Sequence, residues 1–257
     1  MQPIILYDIP SKLPKKTWSP KSSKMRFCLG HKGLPYEVIW VEFRDISATM
    51  KDIGASPTAG EIYSLPVIKD PNTGAVISHS DTITKYLDET YPDKLLIPRG
   101  THVLIQTFET LFIGTVVGPS SELLMARTLE IQNDISRESF IESRLTMCRE
   151  THWEDMAPKE KAQRMFAALK KGLGVVDGWY QKSGGRWIMG DTFSFGDLVV
   201  VCYVVWWSAI LNKQERREIH ALHGGRWARL LADVNFECNT DLGYFDSEEH
   251  NNSRSFL

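Results

Sequence analysis

The sequence predicts an α+β protein in which a βαβ-ββα unit precedes an all-α unit. Residues 63–92 have the pattern of strand, turn, strand and capped helix. After about residue 100, nearly every stretch carries apolar residues at helical spacing. The length of 257 residues is enough for one large domain or two small ones. We therefore expect domains at 1–92 and 101–245, a linker at 93–100 and a polar tail at 246–257.

The first half of the N-terminal unit begins with an apolar run, Ile4 to Tyr7, typical of a buried strand. A mostly polar loop follows and ends at Ser19-Pro20. Serine followed by proline is typical of the N-cap and first position of a helix, so Ser19 should lie at the start of a helix that ends before Gly33. Residues 36–43 alternate in part and predict a second strand, and residues 51–53 predict a short helical turn.

The second half of this unit is a hairpin and a helix. The apolar run from Leu65 to Ile68 contains Pro66, which lacks the N–H needed for ordinary ladder pairing. A turn at 70–74 and a short apolar run at 75–77 complete the hairpin. Ser80 is the predicted N-cap of the helix that follows, since residues 83, 86 and 87 share an apolar face.

The C-terminal unit is predicted to be helical throughout. One helix should end at Gly118-Pro119, one or two should cover 121–150, and others should cover 159–182 and 226–234, after which the chain is polar. The run at 195–211 has strand-like composition, but it is about twice the usual strand length. It also follows Ser194-Phe195-Gly196-Asp197, an S-x-x-D capping signal. We therefore expect a buried helix at the centre of this unit.

Composition excludes several classes of function. The formal net charge is −2 and no basic run occurs, which argues against nucleic acid and anionic membranes as partners. Four scattered cysteines predict neither a disulfide framework nor a metal site. The N-terminus lacks the profile of a secretory signal, so we expect a cytoplasmic protein. The longest apolar run, 198–211, is too short to span a bilayer.

The order of the hairpin and helix, with Leu65-Pro66-Val67 and with Ser80 before I-x-x-Y-L, resembles the thioredoxin-like domain of soluble glutathione transferases. The cap at 194–197 is similar to the one that opens the core helix of their second domain. The resemblance implies a cis Leu65–Pro66 bond, glutathione as co-substrate, no metal, and a homodimer. It also implies that the Leu65 backbone pairs with the cysteinyl part of glutathione and that Ser80 holds the γ-glutamyl carboxylate.

Two further candidate contacts to glutathione follow from the residues themselves. His79 stands where an acidic residue or glutamine is usual in the family. A neutral imidazole can accept from the γ-glutamyl ammonium, whereas a protonated one would repel it, so we expect weaker glutathione binding at mildly acidic pH. Arg44 and Lys51 are candidate cations for the glycyl carboxylate.

The thiol of glutathione must be held as a thiolate. A thiol with a pKa of about 8.5 needs about 2.7 kcal/mol of stabilisation to be mostly ionised at pH 7. A helix N-terminus supplies about 0.3 to 1 kcal/mol, or ~2 in a favourable buried site. A hydrogen bond to a charged group adds about 1.5 to 3 kcal/mol. The string at 19–27 resembles the family's S/C-P-x-x-x-K/R-x-R pattern, which makes Ser19 the first candidate donor. Ser22 or Ser23 is the next candidate, and Tyr7 is the last.

Within the family, the strings LYD, WSP, HKGLPY, WVEF and IGA-x-PT resemble fungal etherase-related transferases and, more distantly, bacterial β-etherases. This resemblance implies hydrophobic, lignin- or wood-extractive-like aromatic substrates. Trp18, Phe108 and Phe112 are candidate linings of the acceptor pocket. The predicted function is a serine-type transferase that conjugates glutathione or cleaves ethers. The alternative is a ligandin-like carrier of aromatic compounds with little catalysis.

Overall fold

A computed structural model describes residues 1–244 and confirms the predicted α+β architecture. The predicted tail at 246–257 lies outside the described residues. The N-terminal domain contains four strands and three helices. They are β1 (Ile4–Asp8), α1 (Pro20–His31), β2 (Tyr36–Trp40), α2 (Ile46–Asp52), β3 (Val67–Asp70), β4 (Ala75–Ser78) and α3 (Ser80–Thr90).

The four strands form one mixed sheet in the order β2-β1-β3-β4. β1 is parallel to β2, and β3 is antiparallel to both β1 and β4. β1, β2 and β4 therefore end at one edge of the sheet, where β3 begins. α1 follows β1 and α3 follows β4, so both helices also start there. We call this the C-terminal edge, made of residues 9–20, 41–45, 63–66 and 79–80.

The C-terminal domain is helical, as predicted. Its elements are α4 (His102–Phe112), a π turn (Ile113–Val117), a 3-10 turn (Gly118–Ser120), α5 (Ser121–Glu130), α6 (Arg137–Cys148), α7 (Lys159–Ser183), α8 (Phe195–Ile210), α9 (Lys213–Ala221) and α10 (Arg226–Glu237).

The run with strand-like composition is a helix, α8, and every one of its residues is buried. Its cap is the predicted one: the Ser194 hydroxyl accepts from the N–H of Gly196, and the Asp197 carboxylate accepts from the N–H of Ser194 at 3.1 Å. Asp197 also accepts from the N–H of Ile188 at 2.8 Å and from the hydroxyl of Tyr180 at 3.1 Å. Burial and the capping box together override the strand propensity of valine and tryptophan.

Several predicted boundaries are wrong. Gly118-Pro119 does not end the helix; the helical path changes pitch through the π and 3-10 turns and continues to Glu130. Proline is tolerated there because it occupies the start of a short 3-10 turn, where its missing N–H is not needed. Ser80 is the first residue of α3, and His79 takes the N-cap position. The helical turn predicted at 51–53 is the end of the longer α2.

The chain after residue 234 is also not a simple polar tail. α10 continues to Glu237, and residues 238–244 fold back over the start of the N-terminal domain. We call residues 238–244 the C-terminal strap. Leu242 is buried, and the Asn235 side chain fixes it by bonds to both its N–H and its carbonyl.

The stretch His102–Glu130 is long and apolar enough, by length and composition alone, to cross a membrane. In the fold it is a helix of the C-terminal domain, with Phe112 and Leu124 fully buried in the core. Its outer face carries three exposed apolar side chains: Val103, Leu104 and Leu111 are 70%, 68% and 53% exposed.

Candidate functional site

Three features converge on the C-terminal edge: the start of α1, the segment before β3, and the start of α3. The expected cis bond between Leu65 and Pro66 is present. Pairing of β3 with β1 begins at Val67, so the Leu65 backbone lies outside the ladder. An extended peptide can add to such a segment through main-chain hydrogen bonds.

Ser19 is the N-cap of α1, with Pro20 at the first helical position, as predicted. Its side chain makes no capping hydrogen bond and is half-buried. The backbone carbonyl, by contrast, is engaged by the N–H of Ser23 at 2.9 Å. The backbone is therefore fixed, while the hydroxyl remains available to a ligand at the positive end of the helix.

The three competing hydroxyls are less accessible. Ser22 and Ser23 are fully buried, and within residues 1–244 their hydroxyls have no hydrogen-bond partner. Tyr7 is buried in β1, next to Asp8, which bonds to α1. Successive side chains of a strand point to opposite faces, so Tyr7 faces away from α1. Burial, and then the charge of Asp52 in α2, raise the pKa of the Tyr7 phenol.

The start of α3 has an unusual backbone. His79 has φ 72° and ψ 132°, a backbone conformation that residues other than glycine rarely adopt. Its carbonyl accepts from the N–H of Ile83 at 2.8 Å, which starts the helix. The Ser80 carbonyl accepts from the Thr84 hydroxyl at 2.7 Å, and the half-buried Ser80 side chain makes no hydrogen bond within residues 1–244. The first N–H groups of α3 are thus presented together with a free hydroxyl, an arrangement suited to a carboxylate.

The two candidate cations differ in position. The Lys51 ammonium lies 5.5 Å from the centroid of the Tyr63 ring, which places it beside the segment before Leu65. Arg44 is exposed and its Nε lies 3.5 Å from the carboxylate of the adjacent Asp45. Lys51 is therefore the better placed of the two for a ligand bound along residues 63–66.

The aromatic residues predicted to line an acceptor pocket lie mostly in the interior. Trp18 is 6% exposed and its indole N–H donates to the carbonyl of Pro10 at 3.2 Å, which closes the loop before α1. Phe112 is fully buried against Tyr203. Phe108 is half-buried and packs on Trp179 of α7. The aromatic residues at helical spacing pack mainly in the core. Because Phe112 has no exposed surface, it does not line an open pocket.

A buried ion pair fixes α1 to the end of β1. Arg26 donates to one carboxylate oxygen of Asp8 through Nε at 3.0 Å and through Nη2 at 2.7 Å. Asp8 is fully buried and also accepts from the N–H of Ile9. This pair positions the helix start relative to the sheet, and Arg26 is the last residue of the S-P-x-x-x-K-x-R string.

The lysine of the same string joins the two domains. Lys24 is 1% exposed, and its ammonium pairs with the carboxylate of Glu109 on α4. The same ammonium lies 5.3 Å from the centroid of the Phe195 ring at the start of α8. The sequence contained Lys24 and Arg26 as motif positions, but not their partners.

The C-terminal strap holds the loop that leads to Ser19. The Tyr244 hydroxyl donates to the carbonyl of Thr17 at 2.9 Å, and the Tyr244 N–H donates to the hydroxyl of Ser208 at 2.9 Å. Lys15 bonds to the carboxylate of Asp241 at 2.9 Å. No local pattern in the sequence indicates a contact across more than 200 positions.

Thiol and metal chemistry have little support among the described residues. Cys28 is fully buried, and burial raises its pKa to about 12, so it is not a nucleophile. Within residues 1–244, no group of three or more His, Cys, Asp or Glu side chains could hold a metal ion.

Comparison with known proteins identifies the family. Residues 18–90 match the glutathione S-transferase N-terminal domain, and residues 103–235 match the glutathione S-transferase C-terminal domain. The chain is 28% identical over 250 residues to the glutathione S-transferase-like protein ustS of Aspergillus flavus, covering 89% of this chain and 88% of that protein.

Two solved structures have the same fold over nearly the whole chain. The glutathione S-transferase CsGST63524 of Ceriporiopsis subvermispora, solved in complex with glutathione, is 35% identical with a TM-score of 0.87, covering 92% of this chain and 98% of that one. The glutathione transferase GSTFuA3 of Phanerochaete chrysosporium is 33% identical with a TM-score of 0.83, covering 92% and 97%. On the fold, the two matched domains and these relatives, the chain belongs to the soluble glutathione transferase family.

Proposed function

We propose that this transferase is of the serine type and that Ser19 activates glutathione. The observation that carries the proposal is the half-buried Ser19 hydroxyl at the start of α1, which makes no capping hydrogen bond. It shares the C-terminal edge with the Leu65 backbone and with the start of α3. A relative 35% identical to this chain has been solved with glutathione, which supports the same co-substrate here.

The proposed arrangement assigns each part of glutathione to one feature of this edge. The cysteinyl part pairs with the backbone of Leu65, beside Pro66 and Val67. The γ-glutamyl carboxylate lies at the start of α3 on Ser80, with His79 beside its ammonium, and Lys51 or Arg44 faces the glycyl carboxylate. The thiol then points to the start of α1, where the Ser19 hydroxyl donates to the thiolate.

For the second substrate we propose hydrophobic aromatic compounds of the lignin or wood-extractive kind. The thiolate either adds to an electrophilic carbon or displaces a phenolate from an aryl ether, forming a C–S bond as the C–O bond breaks. This proposal rests on the etherase-related strings in the first hundred residues.

The test is the variant Ser19→Ala, assayed with glutathione and an aryl isothiocyanate and with a glutathione-cleavable aryl ether ketone. Loss of a hydrogen bond to the thiolate, worth about 1.5 to 3 kcal/mol, should lower kcat/KM about 10- to 150-fold. The pKa of bound glutathione, followed by thiolate absorbance, should rise by about one to two units. Ser22→Ala and Tyr7→Phe are the matched controls and should change both quantities little.

Unchanged turnover in Ser19→Ala would contradict the role of Ser19. A larger loss in Ser22→Ala, Ser23→Ala or Tyr7→Phe would transfer the role to that hydroxyl. Binding of glutathione and phenolic ligands by the wild type, with no turnover of any acceptor, would instead favour the ligandin-like carrier.

We also propose that the chain forms a homodimer through the outer face of α4. Val103, Leu104 and Leu111 are all more than half exposed on this one face. Large exposed apolar side chains grouped on one helix favour an association site.

A further inference from the structure

A bridge from the helical domain reaches the C-terminal edge beside the proposed glutathione site. Residues 133–136, just before α6, bind the segment that follows β2. The Ser136 hydroxyl accepts from the N–H of Phe43 at 2.8 Å and donates to the carboxylate of Glu42 at 2.6 Å. The Asn133 amide donates to the same carboxylate at 2.7 Å. This bridge fixes α6 over Phe43.

Arg144 of α6 lies over two aromatic rings at this place. Its guanidinium carbon is 5.2 Å from the centroid of the Phe43 ring and 4.8 Å from that of Phe140. The two rings meet edge to face, with centroids 5.4 Å apart. Cation–π contacts of this kind fix the orientation of a guanidinium but do not neutralise its charge.

No carboxylate within residues 1–244 pairs with Arg144. Its Nε is buried without a hydrogen-bond partner, and its one hydrogen bond in the described chain runs to the weak acceptor Met147 Sδ, at 3.9 Å. Burial lowers the pKa of the guanidinium, although arginine remains charged at neutral pH. A buried donor without a partner is costly, so the site favours an acceptor that the described chain does not provide.

A second cation without a carboxylate partner in the described chain is Lys21, two residues after Ser19. Loss of hydration, and then the charge of Lys24, lower the pKa of the Lys21 ammonium; the charge of Glu109 raises it, and the charge of Arg144 lowers it. Lys24 itself is neutralised by Glu109. Lys21 and Arg144 are therefore two cations close enough to influence each other, and neither pairs with a carboxylate within residues 1–244.

We propose that Arg144, aided by Lys21, forms a subsite for an organic anion carried on an aromatic ring, with the ring against the half-buried Phe43 and the anionic group on the guanidinium. The proposal rests on the proposed transferase site, because it names the class of second substrate or ligand for that site: aryl carboxylates, sulfonates and phenolates in preference to neutral aryl compounds.

The test compares two dyes that share one ring system and differ by one sulfonate: 8-anilinonaphthalene-1-sulfonate and neutral N-phenyl-1-naphthylamine. Both are titrated by fluorescence into the full chain saturated with glutathione. Arg144→Met should raise the Kd of the sulfonate about tenfold, as expected for one charge-assisted contact, and should change the Kd of the neutral dye less than about twofold.

Three further variants complete the comparison. Arg144→Lys keeps the charge and should recover part of the sulfonate affinity. Lys21→Met should raise the Kd of the sulfonate dye by a smaller factor than Arg144→Met does. Arg164→Met removes an exposed arginine of α7 and should leave both dyes unchanged. Thermal melting of each variant verifies that it is folded.

Three results would overturn the proposal. The first is an unchanged Kd of the sulfonate dye in Arg144→Met. The second is an equal rise in the Kd of both dyes. The third is a rise in the Kd of glutathione itself, measured by calorimetry, by the same factor as the Kd of the sulfonate dye. The last result would assign Arg144 to the glycyl carboxylate. Dye binding needs no turnover, so a chain without transferase activity would refute the proposed function and still give an answer here.

Discussion

Asp197 shows how one buried carboxylate serves three elements at once. It caps α8, accepts from the backbone of Ile188 and accepts from Tyr180 of α7. Burial raises its pKa to about 6, and the hydrogen bonds only partly offset this rise. An unfolded aspartate has a pKa of about 3.9. In the window between these values the folded state holds a proton that the unfolded state has lost.

The sign of the pH dependence follows from that difference in bound protons. Stability contributed by Asp197 is present below pH 4 and is lost as pH rises towards 6. The other carboxylates contribute the same pH dependence to the free energy of unfolding of the wild type and of Asp197→Asn, so their contribution cancels in the difference. We expect the advantage of the wild type in free energy of unfolding, from urea titrations, to shrink by about 2 kcal/mol between pH 4.5 and 6.5. A difference that is constant or grows over this range would contradict the raised pKa.

The site residues divide by what determines their position. Ser19, Leu65, Pro66 and Ser80 could be predicted from the sequence because each marks a local event: a cap, a break in a strand or the start of a helix. Arg144, Glu109 and Tyr244 could not, because each acts on a residue at least 85 positions away. Trp18, Phe108 and Phe112 were predicted in an acceptor pocket because composition does not distinguish a pocket lining from a core.

At the scale of elements, the C-terminal strap and the loop before α1 form a unit. The loop is closed internally by Trp18 and Pro10 and by a bond from the Ser11 hydroxyl to the Lys16 carbonyl at 2.9 Å. Tyr244 then ties the Thr17 carbonyl to the strap. Because Thr17 lies two residues before Ser19, we infer that the strap helps to fix the backbone that leads to Ser19.

Tyr244→Phe removes this bond and keeps the ring. We expect kcat to fall a few-fold, the pKa of bound glutathione to rise by less than in Ser19→Ala, and KM for glutathione to change little, since Leu65 and Ser80 are not touched. The loss in stability should be about 0.5–1.5 kcal/mol. Tyr36→Phe, whose ring lies at the opposite edge of the sheet, is the control. A kcat equal to that of the wild type, together with an unshifted pKa of bound glutathione, would show that the Tyr244 bond has no part in positioning Ser19.

The elements differ in how well local pattern predicted them. Strands β1 to β4, α1, α7 and α8 were predicted from short apolar runs between turn residues, from the apolar stripe of α7, and from the Ser19-Pro20 and Ser194–Asp197 signals. α9 was not predicted. Its sequence is almost entirely polar and only Ile219 along its length is buried, so no apolar period marks the helix. Its N-cap, Asn212 with Glu215, is a complete capping box and was the available signal.

At the scale of the whole molecule, the outer face of α4 leads to a prediction about assembly. The chain has a mass of 29.3 kDa. We expect light scattering to give about twice this value for the wild type. Leu104→Glu places a charge on the proposed interface and should shift the protein to the monomer. Val175→Glu alters an exposed valine on α7 and should not. A monomeric wild type would remove the dimer from the proposal.

The strap also determines when the proposed active site can be completed during synthesis. Domains generally fold as units, the N-terminal one first, while the chain is still being made. Here the residues of the sheet, α1 and α3 all lie within the first 90 positions, but Lys24 of α1 pairs with Glu109 of α4, and Lys15 and Thr17 receive their partners from Asp241 and Tyr244. A nascent chain that ends before the strap therefore lacks the partners of both Lys24 and the loop before Ser19. The reactive end of the site closes last, once the helical domain beneath the strap has been made.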